Sequence, residues 1–371
     1  MQRCVLLITD GIDGITGPIR VAYALGKHLI GNRINVKIIT PYINAEINRS
    51  LIREGFNTRS LGKETLIGGQ VGHLWIWIRN SLFMNRKIIN EITNDSECIS
   101  INLSFEVPIP STIFYTQGYV GELLRDIAME FPLHYRMAYK LSSPVIKMAD
   151  NTYSKALLGS KYVIANSRYS AYMATERGAH VHGIIYPPID TRLFRPVNNP
   201  SSDYVVTYVG KEAQFDVLRA IANTGIRIIA FGFKVPWLPR WFLRHRNIDY
   251  RGRVSDEELV KLYANARFTV FPFTHEPFGY VPVESMACGT PVLTYNKQGP
   301  GETVINNETG WLVNTPEELV KLAERLWVSG YPETMRIKAR ERALLFDEDV
   351  IISKWLSLIM EIGGTLDKRN K

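Results

Sequence analysis

The sequence predicts an α/β protein made of two doubly wound domains, each with a parallel sheet. Short apolar runs rich in β-branched residues alternate with segments of helical periodicity, which is typical of βαβ units. This pattern starts again after a polar, proline-bearing stretch at 195–203, and the length of 371 residues fits two domains. We predict domains at 1–198 and 199–345. A C-terminal helix and tail at 346–371 is expected to pack back toward the first domain.

In the first half, the apolar runs predict buried strands, and the segments with apolar residues three or four positions apart predict helices. The predicted strands are Val5–Thr9, Val36–Thr40, Cys98–Leu103, Ile113–Thr116, Tyr162–Asn166 and Gly183–Tyr186. The predicted helices are Ile19–Ile30, Leu123–Tyr139 and Ser170–Arg177. The first strand, helix and second strand follow one another directly, as a parallel pair with a crossover helix requires.

The second half repeats the same alternation. The predicted strands are Tyr204–Val209, Ile226–Phe231, Phe268–Pro272 and Pro291–Tyr295. The predicted helices are Asp216–Ala222, Asp256–Ala264, Val283–Ala287 and Pro316–Leu326. Open α/β sheets bind ligands beyond the carboxyl ends of their strands, so we expect functional residues in the loops that follow the strands.

The chain is basic, with 44 lysines and arginines against 36 acids, a formal charge of +8. Residues 1–200 hold 22 basic and 15 acidic side chains, a net +7, which leaves 22 and 21 for the rest. The first half therefore predicts an anionic partner, either an acceptor molecule or a membrane surface. Nucleic acid is not expected, because no recognised binding module accompanies the charge.

The three cysteines, Cys4, Cys98 and Cys288, lie far apart without a paired spacing, so we expect neither a disulfide framework nor a zinc cluster. The first apolar run is too short for the core of a signal peptide, and no stretch reaches the length of a spanning helix. These observations predict a cytoplasmic protein.

Two basic aromatic stretches, Leu74–Lys87 and Trp237–Arg246, could each form either an interfacial helix on anionic lipid or a core-facing amphipathic helix.

A glycine-rich turn follows the first strand, with glycines at 11, 14 and 17 and a helix beginning near Pro18. Such a loop presents backbone N–H groups and a helix N-terminus to an anion, although a simple tight turn explains it equally well.

The segment after the Phe268–Pro272 strand is the most informative one. Glu276 lies in the loop and Glu284 eight positions later, in the expected first turn of the next helix. Carboxylates at these positions can each accept two hydroxyl donors, as a sugar or a ribose offers, while the backbone N–H groups of Phe278 and Gly279 can face a phosphate. On residue type alone, Glu284 could instead complement the helix dipole and Glu276 could be solvated.

This segment, Glu276 to Thr290, resembles the E-x7-E donor-binding signature of retaining glycosyltransferases of the glycosyl transferases group 1 family, also called family 4. The flanking and upstream segments add to the resemblance. They are Tyr250–Leu259 with Tyr263–Ala266, Gln298–Glu302, Asn307–Val313, Tyr162–Ser167 and Pro187–Pro196. The similarity is dense from about residue 160 to 350 and sparse before it.

The resemblance implies the GT-B fold, two Rossmann-like domains facing a central cleft, and a nucleoside-diphosphate sugar held mainly by the second domain. Glu276 would bind hydroxyls of the transferred sugar, and Lys211 would stabilise the departing diphosphate; we take these two as the catalytic residues. The remaining implied donor contacts are Glu284 to the ribose, Arg253 and Val254 near the base, the backbone of Phe278, Gly279, Tyr280 and Val281, and Gly17 at the β-phosphate.

Three positions depart from the family pattern. The paired glycines before the first helix appear as Thr16 and Gly17, and Lys211 is the one cation where the family has two. Where the family commonly has a histidine in the first domain, this sequence has Gln117, which can hydrogen-bond a sugar but carries no charge. These departures leave open an unusual donor or weak activity.

The function implied is transfer of a sugar, with retention, to a glycan or a lipid-linked acceptor. Such chemistry needs no protein nucleophile and no cofactor. No metal is expected, because the one Asp-x-Asp triplet, Asp347–Asp349, stands where a helix would be capped. A sugar-nucleotide epimerase and a catalytically silent nucleotide-sugar-binding protein are the alternatives.

Overall fold

The computed structural model describes residues 4–14, 17–62, 69–84 and 98–369. The chain divides into two compact units by its internal contacts. Unit 1 consists of Met1–Glu122, Tyr139–Pro188 and Asp349–Lys371, and unit 2 of Leu123–Ala138 and Ile189–Glu348. The domain boundaries expected after residues 198 and 345 stay predictions.

Unit 1 is built on a seven-stranded sheet in which every pair is parallel, in the order β3-β2-β1-β4-β5-β6-β7. The strands are β1 Cys4–Ile8, β2 Asn35–Thr40, β3 Asn57–Ser60, β4 Cys98–Asn102, β5 Ile113–Thr116, β6 Tyr162–Ala165 and β7 Gly183–Ile184. The central strands are buried on both faces, which explains their continuous apolar sequences. The intervening helices are α1 Pro18–Gly31, α2 Ala45–Arg53, α3 Gly69–Phe83, α4 Val120–Ile127, α5 Leu133–Leu158 and α6 Arg168–Thr175.

Unit 2 has a six-stranded parallel sheet in the order β10-β9-β8-β11-β12-β13. The strands are β8 Val205–Val209, β9 Ile228–Gly232, β10 Ile248–Gly252, β11 Thr269–Phe271, β12 Val292–Tyr295 and β13 Gly310–Val313. The helices are α7 Phe215–Asn223, α8 Asp256–Asn265, α9 Tyr280–Ala287, α10 Pro300–Thr303, α11 Pro316–Ser329 and α12 Thr334–Leu344. The chain order reverses between β8 and β11, so the loops after these strands lie at the switch point where such sheets bind ligands.

The last helix, α13 Glu348–Arg369, contributes apolar side chains to the core of unit 1. Its Trp355 is fully buried and meets the Tyr115 ring edge-on, with the ring centroids 5.2 Å apart. The Tyr115 hydroxyl in turn donates to the Ile185 carbonyl at 2.8 Å, so α13, β5 and the end of β7 are joined in one packed region.

The predicted α/β class with parallel sheets is confirmed, but the helix expected at Leu123–Tyr139 is wrong. Two helices, α4 and α5, stand there, because Pro132 forces the preceding Phe131 into an extended conformation (φ −75°, ψ 146°) that interrupts the helix. Strands β3, β10 and β13 were not predicted, and the four-residue β13 is buried at a sheet edge. The other two, β3 and β10, have a common reason. Both carry exposed polar residues at a sheet edge and lack the apolar run of a central strand.

The two basic aromatic stretches differ in structure. Leu74–Phe83 belongs to α3, whose Ile76 and Trp77 are buried, and residues 85–87 lie outside the described residues. The stretch Trp237–Arg246 forms a single 3-10 turn, Phe242–Arg244, so the amphipathic helix expected there is wrong. Among the described residues, we find no helix with the length and apolar content needed to cross a bilayer.

The expectation of unpaired cysteines is also wrong for two of them, because Cys4 and Cys98 form a disulfide. Cys4 and Cys98 are direct partners in the register of the neighbouring parallel strands β1 and β4. The two cysteines are 94 residues apart in the sequence, so their spacing alone could not predict that they are neighbours in the sheet. Cys288 is a buried free thiol, and burial raises its pKa.

We expect a thiol titration with Ellman's reagent, on protein denatured without reductant, to count one thiol, that of Cys288. After reduction it should count three. Reduction should also lower the unfolding free energy by roughly 3–4 kcal/mol, because a cross-link closing a loop of this length restricts the unfolded chain. Three thiols before reduction would contradict the pairing, and Cys288→Ser should remove one thiol from both counts.

Candidate functional site

Three loops at the carboxyl edge of the unit 2 sheet are held together by backbone hydrogen bonds. After β8, the Glu212 carbonyl accepts from Thr274 N–H in the loop after β11, at 2.9 Å, and Gln214 N–H donates to the Pro272 carbonyl at 3.1 Å. After β12, Gly299 N–H donates to the Glu276 carbonyl at 3.0 Å. The site is therefore assembled from three connections that lie far apart in sequence and adjacent in the sheet.

Glu276 lies at the centre of these contacts. Its backbone N–H donates to Gln298 Oε1 at 2.5 Å, and its side-chain Oε1 accepts from Gly279 N–H at 3.1 Å. Gln298 has a positive φ of 51°, which a residue with a side chain adopts at a cost in energy. That strained residue and the bond from Gly279 fix the orientation of the carboxylate.

Glu212 is a second carboxylate of this site, and the sequence analysis did not identify it. It is buried, with 8% of its surface exposed, and burial raises its pKa. Burial together with the Glu212 charge raises the pKa of Glu276 to about 7, although the N–H groups of Gly279 and Phe278 act in the opposite direction. The residues around Glu212 in the sequence do not indicate that it is buried. It becomes buried because the loops after β8 and β11 pair with each other.

Lys211 lies next to Glu212, and its positive charge lowers the pKa of both Glu212 and Glu276. Lys297, after β12, is a second cation of the same loop cluster that was not predicted. Its Nζ donates to the Thr274 carbonyl at 3.2 Å and lies 5.1 Å from the centroid of the Phe273 ring. Burial lowers the pKa of Lys297.

Helix α9 begins immediately after Gly279, whose left-handed backbone (φ 94°, ψ 69°) turns the chain into the helix. Phe278 is buried, and Tyr280 and Val281 form the first turn of the helix. Glu284 is not in the first turn, as had been expected, but one turn further on. It is buried, and the Tyr263 hydroxyl lies 3.5 Å from its Oε2, so a role as a helix-dipole acid at the terminus is wrong.

Tyr208, near the end of β8, is close enough to several of the predicted positions for their charges to act on its pKa. Burial raises its pKa well above the usual value, and the charges of Glu212, Glu276 and Glu284 add to this, while Arg253 opposes it. The ring of Tyr208 fills the space beside Gly210, where a Cβ would meet it at 2.4 Å.

Arg253 and Val254 form the turn between β10 and α8, as expected. The Arg253 guanidinium carbon lies 4.1 Å from the centroid of the Phe233 ring, which holds this exposed cation over an apolar surface.

A polar cleft of about 530 Å³ opens beside Glu276 within unit 2. Its lining residues are Arg125, Asp126, Glu130, Gln214, Thr274, Lys297 and Gln298. At one side His275 is buried, with its Nδ1 2.8 Å from Asp126 Oδ2, so this histidine is held by an acid of α4, which lies 149 residues earlier in the chain. The cleft carries both signs of charge and several amide groups.

Two predicted residues belong to unit 1. Gly17 precedes α1 with a positive φ of 50°, and a Cβ there would meet no atom within 4 Å, so the backbone conformation alone favours glycine. Gln117 is buried after β5, and its Nε2 donates to the Leu103 carbonyl at 2.9 Å. Thr16 lies outside the described residues.

Unit 1 also holds a hydrogen-bonded polar cluster at the carboxyl ends of β1 and β4. Glu106 accepts from Gly11 N–H at 2.8 Å and lies 2.5 Å from His73 Nδ1, while Asp10 accepts from Glu106 N–H at 2.9 Å. The other ring nitrogen of His73 lies 3.2 Å from Asp13. The hydrogen bond to Glu106 raises the pKa of His73 to about 9, so the imidazole is charged at neutral pH.

Comparison with known proteins agrees with the resemblance seen in the sequence. Residues 243–343 match the family model described as Glycosyl transferases group 1. The glycogen synthase of Mycobacterium tuberculosis is 35% identical over 130 residues, which is 31% of each chain. The O-antigen chain mannosyltransferase B of Escherichia coli is 30% identical over 189 residues, half of this chain and 42% of that protein. The aligned segments therefore span less than half the length of these relatives.

Solved structures match nearly the whole chain. Anabaena Alr3699/HepE, determined in complex with UDP and glucose, has a TM-score of 0.67 at 17% identity, covering 96% of this chain and 99% of that one. Sucrose-phosphate synthase from Thermosynechococcus elongatus has a TM-score of 0.69 at 19% identity, covering 97% and 100%. The predicted GT-B fold is confirmed. At these identities the similarity concerns the fold alone.

The raised pKa of Glu276 predicts how stability depends on pH. Its carboxyl titrates near pH 7 when folded and near 4.5 when unfolded, so the folded state binds more protons between these values. The unfolding free energy should therefore fall as the pH rises from about 5 to 7.5. For this half-buried group we expect a contribution of about 1–2 kcal/mol.

Urea unfolding at several pH values measures this effect. Glu276→Gln should flatten the dependence, and Glu212→Gln should reduce it, because it removes the neighbouring charge. The exposed Glu324 provides the control variant Glu324→Gln. An identical pH dependence in the wild type and Glu276→Gln would show that Glu276 has an ordinary pKa.

Proposed function

Because residues 243–343 match the family model described as Glycosyl transferases group 1, we propose that the protein transfers a hexosyl group from a nucleoside-diphosphate sugar to a hydroxyl acceptor. The observation that carries this proposal is the convergence of three loops around Glu276, at the switch point of the sheet. The carboxylates of Glu212, Glu276 and Glu284, the start of helix α9 and two lysines lie there within a single unit. This combination provides hydroxyl acceptors beside groups that attract a diphosphate.

The proposed roles follow from these positions. Glu276 accepts hydroxyl hydrogens from the transferred sugar, Glu284 accepts those of the ribose, and the start of α9 faces the α-phosphate. The turn at Arg253 and Val254 lies near the base. The proposed ligand contacts of unit 1 are the backbone N–H of Gly17 for the β-phosphate and the amide of Gln117 for the sugar or acceptor.

We propose that transfer proceeds with retention of configuration and without a metal. The bond between the anomeric carbon and the diphosphate oxygen breaks through an oxocarbenium-like state. The acceptor oxygen then bonds to the same face of that carbon, and its proton passes to the departing phosphate. Lys211 stabilises the charge on the leaving group, and such a preorganised interaction contributes about 3 kcal/mol.

Lys297 is proposed to supply a second cation to the diphosphate. The described site contains the three carboxylates Glu212, Glu276 and Glu284, so Lys211 alone leaves it negative before an anionic donor arrives. Lys297 lies at the neighbouring loop on the Thr274 carbonyl, and a lysine side chain can exchange that acceptor for a phosphate oxygen.

The acceptor is proposed to be a glycan or a lipid-linked molecule with negative charge, used at the surface of a membrane. The net +7 of residues 1–200 supports this proposal. The polar cluster of unit 1 carries Asp10, Asp13 and Glu106 against one imidazolium, so the positive surplus must lie elsewhere on the chain.

The donor is tested by thermal shift with UDP, GDP, ADP and their sugars, followed by assay of diphosphate release. Binding should raise the melting temperature for one base class, and an acceptor should increase turnover. Combining Glu276→Ala with Lys211→Ala should reduce turnover at least a thousandfold, whereas Glu324→Ala should not change it. Full turnover by the double variant, or no binding of any nucleotide by the wild type, would refute the proposal.

The products separate the proposed transfer from its alternatives. A glycosylated acceptor with retained configuration supports the transferase. An epimerised sugar without an acceptor product would identify an epimerase, and tight binding without consumption would identify a silent binding protein.

The two lysines are tested separately by the affinity for the diphosphate. Lys211→Met and Lys297→Met should each weaken binding of the nucleoside diphosphate about tenfold or more and leave binding of the nucleoside unchanged, because a single phosphate contact is lost. Lys297→Arg should restore part of the affinity. Lys321→Met, on the exposed side of α11, is the control. Equal losses for the nucleoside and the diphosphate would indicate that Lys297 only packs on the rings.

A further inference from the structure

Helix α5 exposes a regular stripe of apolar side chains, which we call the α5 stripe: Leu133, Met137, Leu141, Pro144 and Met148. The exposed fractions are 73% for Leu133, 57% for Met137, 82% for Leu141 and 56% for Met148. At about 100° per residue, these five positions fall within roughly 80° of arc. The stripe is therefore one continuous face of the helix and not a scatter of exposed residues.

This face lies opposite the one that α5 buries. The buried residues of the helix are Ile146, Ala149, Tyr153, Ala156 and Leu157. Their average direction lies about 150° away from the stripe on a helical projection. The apolar residues of the stripe therefore do not serve the core, and soluble surfaces rarely keep such a row of large apolar side chains exposed without a partner.

Pro144 does not end the helix, because its missing N–H is compensated locally. The Lys140 carbonyl, which Pro144 cannot bond, accepts from Ser143 Oγ at 2.8 Å. The chain therefore stays helical from Leu133 to Leu158, and the stripe extends over about 22 Å.

The charges beside the stripe have one sign. Arg136, Lys140 and Lys147 are exposed and fall along one edge of the stripe, and residues 133–148 contain no acid. An apolar face bordered by cations matches a bilayer with anionic headgroups, because the apolar residues enter the acyl boundary while the cations meet the phosphates. Two copies of the helix paired along their stripes would instead bring these cations close together.

We propose that the α5 stripe binds the surface of an anionic lipid bilayer, with α5 lying in the plane of the membrane. The proposal assigns the membrane contact to a segment different from the two basic aromatic stretches of the sequence analysis. It rests on the proposed function where that function places the acceptor at a membrane, but vesicle binding is measured without sugar transfer, so the failure of one is distinguishable from the failure of the other.

The experiment is co-sedimentation of the full chain with vesicles of phosphatidylcholine alone and of phosphatidylcholine with about a third phosphatidylglycerol. The wild type should bind the anionic vesicles at least tenfold more tightly, and less tightly at high salt. Leu141→Glu and Met137→Glu should each abolish binding. Lys140→Glu combined with Lys147→Glu should weaken it at least tenfold.

The control is Val328→Glu on α11, where the replaced side chain is 77% exposed and the nearby cations Lys321 and Arg325 alternate with the acids Glu317 and Glu324. It should bind vesicles as the wild type does. All variants change exposed residues, so their melting temperatures should equal that of the wild type. Failure of the wild type to bind anionic vesicles, or unchanged binding by Leu141→Glu, would overturn the proposal. Self-association in solution that Leu141→Glu abolishes, without vesicle binding, would assign the stripe to a second copy of the chain instead.

Discussion

The hydrogen bonds that join the loops after β8, β11 and β12 are the constraint on which the candidate site depends. Thr274 N–H to the Glu212 carbonyl and Gly299 N–H to the Glu276 carbonyl fix the loops to one another. Each loop follows a buried strand, so the rigid sheet determines where each loop begins. A functional group placed on such connected loops keeps its position more closely than one on an isolated loop.

The same constraint produces the unusual electrostatics. Glu212 is buried because its backbone carbonyl is used to pair the loops, and its charge then acts on Glu276. The candidate site thus contains carboxyl groups whose charges act on one another. The charge of Lys211 lowers the pKa of both Glu212 and Glu276, whereas the acids whose charges act on Lys297 are Asp126 and Glu130.

The sequence was sufficient for the class of fold, and it indicated the loop around Glu276 as the candidate site, because both depend on local signals. Central strands such as β1 and β8 are continuous apolar runs, and the segment around Glu276 has a specific spacing of residues. The sequence alone could not predict contacts between segments that are distant in the chain. Register placed Cys4 opposite Cys98, and loop pairing placed Glu212 and Lys297 beside Glu276, while edge strands such as β3 lack an apolar signature.

The bond between Gly279 N–H and the Glu276 carboxylate has a consequence for ligand recognition. The Gly279 N–H at the start of α9 already donates to a carboxylate of the protein itself, so this N–H group has an acceptor before any ligand binds. A phosphate oxygen that takes over this N–H would release the carboxylate to receive hydroxyl hydrogens. Binding would then be an exchange of acceptors, and a ligand that carries only the phosphate or only the sugar would displace the internal bond without replacing all of its interactions. Such a site discriminates against fragments of its ligand.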